Sequence, residues 1–239
     1  MTAPLLGLAA GLTMLVGAYA VARSARRGLA VIDDLVCFSA GFMLALALVA
    51  AIPEALNQQP RSAALFVLLG YLLVHFSQHT LVPHFHFGEE THRISEFTSR
   101  AAVAGLSLHA FFDGVAIAAG FLVNPALGLL FFLAIALHKL PEGVAVASLV
   151  IAAGGSVRAS YLAAGLLGLV TVAGVVLTEH VEVLTTYGLA LAAGVTIYVA
   201  ASNLVPEFQH KRGWRTPLFF FAGAAAFLLT EALLARLGG

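Results

Sequence analysis

Apolar runs of about 20 residues recur from one end of this chain to the other, and nothing else in it limits the fold as strongly. A run of that length crosses the hydrocarbon core as a helix, because lipid offers the backbone no hydrogen-bond partners. Of the 239 residues, 61% are hydrophobic and only 10% charged, whereas a soluble domain carries about 25% charged residues. The sequence therefore predicts an all-α polytopic membrane protein whose surroundings are the lipid bilayer. A formal net charge of zero leaves no electrostatic footprint for nucleic acid. A single cysteine, Cys37, excludes an intramolecular disulfide and a cysteine-cluster metal site.

Charges, prolines and glycines cut the chain into eight transmembrane spans, roughly 3–22, 31–54, 62–82, 98–122, 126–152, 157–179, 184–206 and 215–237. They form one transmembrane domain over residues 1–239. The N-terminal apolar run has no basic residue before it, and Arg23, Arg26 and Arg27 follow it, so it reads as a retained first helix. Connections are short except for PHFHFGEETHRISEF at about 83–97. Arg23, Arg26, Arg27, Arg93, Arg100, Arg158, Lys211, Arg212 and Arg215 fall at alternate connections, against Arg61 and Arg236 on the opposite side. The positive-inside rule then puts both termini outside and the histidine-rich connection in the cytoplasm. The compact, nearly loop-free chain leans toward a bacterial inner membrane with periplasmic termini.

Two internal echoes mark the middle and the flanks. LHAFFDGVAIAAGF (108–121) aligns with LHKLPEGVAVASLV (137–150), each holding His-x3-acid-Gly. Span 2 ends in IPEA (52–55) and span 7 in VPEF (205–208), although the two run in opposite directions. This pattern predicts an inverted repeat, spans 1–3 and 6–8 around central spans 4 and 5, the architecture of many transporters with a midplane site.

His109 lies nine residues beyond Arg100, about 13 Å into the hydrocarbon layer. Asp113 follows at i+4, on the same helix face. His138 and Glu142 repeat that spacing in span 5, near the same depth. Asp113, Lys139 and Glu142 would together cost about 8–10 kcal/mol as charges in a bilayer centre. Two imidazoles and two carboxylates form an N2O2 set suited to Zn(II), and also to Fe(II), Mn(II) or Cd(II). The plainer alternative is a self-neutralising core, Glu142 against Lys139 and Asp113 against protonated His109. Pro141 removes one backbone hydrogen bond beside the motif, and Gly114 and Gly143 permit close helix approach.

These paired motifs on successive central helices resemble the ZIP (Zrt/Irt-like) family of divalent metal transporters. The likeness extends to eight spans, outside termini, a histidine-rich cytoplasmic connection and GVTIYVAASNLVPEFQH (194–210) in the style of the family's seventh helix. It implies that His109, Asp113, His138 and Glu142 ligate the metal, and that the protein is a transporter by alternating access rather than an enzyme. In the family a ligand to a second ion commonly follows each histidine; here those positions hold Ala110 and Lys139. Asn203 stands where the seventh helix usually has a glutamate. The resemblance thus implies one metal, with the Lys139 ammonium replacing a second cation. The implied partners are a divalent metal ion, the bilayer and, at most, a second copy of the chain in a homodimer.

Five of nine histidines, His75, His79, His84, His86 and His92, fall between residues 75 and 92. They read as a cytoplasmic receiving site or as a solvated polar connection. Glu54 at the outer end of span 2, and Asn203, Glu207 and His210 toward the inner end of span 7, are candidates for the ion pathway. Rival readings are an intramembrane zinc-dependent hydrolase, which would need an open coordination position, and a proton-coupled carrier of an organic solute using Asp113, Lys139 and Glu142 as a relay.

Overall fold

The computed structural model describes residues 2–23, 29–80, 96–209 and 213–238. They form eight helical runs and, among the described residues, no strand. In chain order these are α1 (Thr2–Arg23), α2 (Leu29–Ala45, continued through Leu46–Ala51 into Ile52–Gln58), α3 (Ala63–Thr80) and α4 (Glu96–Val123). α5 (Pro125–Ala152), α6 (Val157–Thr178), α7 (Glu182–Tyr198, continued through Val199–Leu204 toward Pro206–Gln209) and α8 (Arg215–Gly238) complete the set. Seven are long and apolar enough to cross a membrane, and the apolar part of α3, Ala63–His79, is slightly shorter. The spans therefore fall where the hydrophobic pattern puts them.

Local chemistry explains the sharp turns. Asn124 accepts a hydrogen bond from the Leu127 N–H at 2.9 Å and is followed by Pro125, so α5 begins one residue after α4 ends. Ser156 caps α6 through the Ala159 N–H at 3.1 Å. Gly154 adopts φ +86 in the turn between α5 and α6, a conformation that a side chain would strain. α5 continues as helix through Pro141.

Reciprocal glycine contacts divide the helices into two bundles. A methyl group at Gly143 would run into the Met14 carbonyl, and one at Gly17 into the Leu140 carbonyl, which joins α1 to α5 backbone against backbone. Gly114 and Gly174 join α4 to α6 in the same way, and Gly11 and Gly168 join α1 to α6. These four helices make the first bundle. In the second, Gly41 and Gly223 join α2 to α8, and Gly70 and Gly194 join α3 to α7. Such close backbone approach is how helices associate in lipid, where apolar side chains gain little by pairing. Between the bundles the contact differs: Gly188 of α7 faces the side chains of Val115 and Ala119 on α4.

The same contacts expose the inverted repeat residue by residue. Gly41 and Gly194, Pro53 and Pro206, Glu54 and Glu207, and Gly70 and Gly223 are each separated by 153 positions. The pairings α2 with α8 and α7 with α3 are thus images of one another. α2 and α7 also share a departure from α-helix: Leu46–Ala51 and Val199–Leu204 are π-helical, again 153 positions apart. Sequence periodicity does not anticipate this. The Ile52 N–H reaches back to the Ala47 carbonyl, and the Val205 N–H to the Ala200 carbonyl. The next residue in each case is a proline, which has no N–H to give the carbonyl four residues earlier. The widened turn and the proline together mark one bend in each helix.

Candidate metal centre

Helices α4 and α5 bring the two His-x3-acid motifs face to face. One ligand atom from each of His109, Asp113, His138 and Glu142 can be chosen so that all lie within 4.8 Å of one another. Ligands about 2.0–2.2 Å from a tetrahedral zinc stand about 3.3 Å apart, so small inward side-chain movements would close the cage. His109, Asp113 and His138 are buried and Glu142 is half-buried. The His109 and His138 ring centroids are 5.4 Å apart. Both Nε2 atoms lie 3.5 Å from Asp113 Oδ2.

The donor atoms are poised for an ion. His138 Nδ1 sits 3.1 Å from the Ala134 carbonyl one turn back. As Nδ1–H donates there, the Nε2 lone pair turns toward the carboxylates, an arrangement typical of metal-ligating histidines. His138 Nε2, His109 Nδ1 and Glu142 Oε1 are all buried without a hydrogen-bond partner. Orphaned polar atoms of this kind are costly unless something else binds them.

Lys139 is wholly buried in the same cluster, its Nζ 2.8 Å from Asp113 Oδ2 and 3.2 Å from Glu142 Oε2. The i,i−3 pairing with Glu142 is readable from the sequence, but the bridge to Asp113 on the neighbouring helix is not. The ammonium therefore ties both carboxylates together, which is part of the self-neutralising arrangement, yet it leaves His138 Nε2, His109 Nδ1 and Glu142 Oε1 unpartnered. Ala110 packs away in an apolar cluster with Met14, Ala164 and Leu167.

The remaining candidates lie apart from this centre. Glu54 is half-buried beyond the α2 bend and accepts a hydrogen bond from Gln58 Nε2 at 3.1 Å. Asn203 is half-buried in the π segment of α7. Glu207 falls in the short helix Pro206–Gln209. His84, His86, His92 and His210 lie outside the described residues. His75 and His79 share one face of α3, their rings stacked at 4.3 Å. A group the sequence reading missed adjoins them: the Tyr198 hydroxyl is 3.3 Å from His79 Nδ1, and Tyr71 Oη is 3.2 Å from Ser202 Oγ. Only the i,i+4,i+8 spacing of Tyr71, His75 and His79 hinted at a shared polar face.

Comparison with known proteins gives the family. Residues 84–231 match the family model described as ZIP Zinc transporter. The zinc transporter ZupT of Escherichia coli is 31% identical over 188 residues, covering 71% of this chain and 72% of that protein. The human zinc transporter ZIP6 is 31% identical over 137 residues, 53% of this chain and 18% of ZIP6. The Drosophila melanogaster zinc transporter foi is 33% identical over 111 residues, 45% of this chain and 16% of foi. The chain thus matches less than a fifth of the length of these two animal relatives. With the family match running through both His-x3-acid motifs and over more than half of its length, this chain belongs to the ZIP zinc transporter family.

Proposed function

We propose that this chain moves Zn(II), or a similar divalent ion such as Fe, Mn or Cd, across a membrane toward the cytoplasm by alternating access. One ion binds between α4 and α5 through His109, Asp113, His138 and Glu142, and Lys139 supplies the positive charge that a second ion would otherwise bring. The observation that carries this reading is the convergence of four ligand atoms within 4.8 Å. The Lys139 Nζ lies within 3.2 Å of both carboxylates.

The asymmetry of basic residues supports placing the Arg100 and Arg158 end in the cytoplasm, both termini outside, and the protein in a bacterial inner membrane. Two internally locked bundles with a looser interface between them suit alternating access, because one can shift against the other without breaking its own backbone contacts. Ions would pass Glu54 on the outer side and Asn203, Glu207 and His210 on the inner side. The hydrolase alternative gains no support: Lys139 fills the space beside the ligands where an open, water-bearing position would be needed.

Radiolabelled zinc uptake into proteoliposomes tests the reading. Wild-type protein should accumulate zinc down an imposed gradient and Glu142→Ala should not. Equal uptake by well-folded Glu142→Ala would refute the ligand assignment.

A further inference from the structure

The repeat is symmetric in backbone but not in side chains. On the inner side, Tyr71 of α3 meets Ser202 in the π segment of α7. Tyr71 also packs edge-on against Tyr198 at 5.2 Å, and Tyr198, 1% exposed, reaches His79. The outer copy, 153 positions away, replaces Tyr71, Tyr198, Ser202 and His79 by Ala224, Ala45, Val49 and Ala232. None of these side chains can form a hydrogen bond. The glycine contacts, the π segments and the Pro-Glu pairs are kept in both copies, so the polar set distinguishes one bend from the other.

The position of that set gives it a role. α3 and α7 are locked backbone to backbone at Gly70 and Gly194. Below that lock α7 enters the π segment, loses the donor of Pro206 and bends. Tyr71 lies next to Gly70, at the backbone lock, and Ser202 lies within the π segment itself. Their contact is therefore a tie across a hinge. We infer that Tyr71 is a positioning residue for release: through Ser202 it holds the inner end of α7 closed, a latch that the outer bend of α2 lacks. This rests on the proposal that ions leave along the inner half of α7. An exit that is tied shut and an entrance that is not would let the outer side admit ions more readily than the inner side leaks them.

Hydrogen exchange on the full-length protein in lipid nanodiscs tests the tie directly. Tyr71→Phe and Ser202→Ala each remove the hydrogen bond with little change of volume. Either should speed amide exchange across residues 199–205 by about three- to tenfold, the value of one hydrogen bond. Exchange across 46–52 should stay unchanged, the double variant should add nothing to either single one, and Ser202→Thr, which keeps a hydroxyl, should restore protection. In proteoliposomes Tyr71→Phe should raise the zinc uptake rate at saturation while leaving KM unchanged. Unchanged exchange at 199–205, equal acceleration in both π segments, or fully additive singles would overturn the latch. Failure of zinc transport by the wild type would instead count against the proposed function, and the exchange result would still stand.

Discussion

The two bundles are built alike and equipped differently. Each is held by glycines that let backbones touch, and each contains helices related by the repeat. Yet the first bundle buries the titratable cluster His109, Asp113, His138 and Lys139 at 4% exposure or less, while Ser39, Ser77, Thr196 and Tyr198, buried in the second, are all hydroxyls. In the first, the histidine and the acid are matched in both copies of the motif and meet at one point, although Lys139 stands opposite Ala110. In the second, the backbone is identical in both copies and the side chains diverge. Under the proposed function, the matched motifs would serve a shared ion, and the unmatched side chains would serve direction.

The sharpest way to break that comparison is to remove a ligand. His138→Ala should lower zinc uptake at least about 100-fold while leaving both bundles folded, as checked by circular dichroism and initial rates. A comparable loss would not be expected from Glu54→Gln, since the outer bend holds no converged ligand set.

Next in size is a test of the bundle locks. Gly114→Val drives a side chain into the Thr171 carbonyl and should cost about 3 kcal/mol or more, a fall in melting temperature of about 6–12 °C. Gly188→Ala, at the bundle interface, meets only the Val115 methyl at 3.2 Å and the Ala119 methyl at 3.6 Å. It should shift the melting temperature by no more than about 3 °C and alter the transport rate more than the stability. If the two substitutions destabilise equally, the division into locked and sliding contacts fails.

Acid sharpens the contrast between ligands and gate. Protons compete with the metal for imidazole and carboxylate atoms, so zinc binding should weaken progressively as pH is lowered from neutral into the acid range. A calorimetric titration across that range should show the loss in wild type, with the latch variant Tyr71→Phe following the same curve. The smallest effect belongs to the Arg215–Asp34 pair. Arg215 grips Asp34 through two hydrogen bonds of 3.0 and 2.7 Å but is 65% exposed. Arg215→Gln should therefore leave the thermal unfolding midpoint almost unchanged.

The eight helices and the shared faces of the four candidate ligands were legible in the sequence because each depends on spacing alone. Hydrocarbon thickness sets the length of an apolar run, and i,i+4 periodicity places His109 with Asp113 and His138 with Glu142 on one face. The partners of the glycines were not legible, since a glycine shows that a backbone can be approached but not by which helix. The π segments were hidden for a related reason: Pro53 and Pro206 announce a missing donor, but whether the preceding turn stays α or widens depends on packing around it. Lys139 shows both limits at once. Its pairing with Glu142 is local and readable, whereas its 2.8 Å contact with Asp113 exists only when α4 and α5 dock.

The central claim is that one ion and one ammonium share the space between α4 and α5. Counting zinc bound per chain in wild type and in Lys139→Asp tests it most directly. The account predicts one tightly bound ion in wild type, and two in the variant once the ammonium is replaced by a ligating carboxylate. Two ions already bound to wild-type protein, with Lys139 in place, would contradict it.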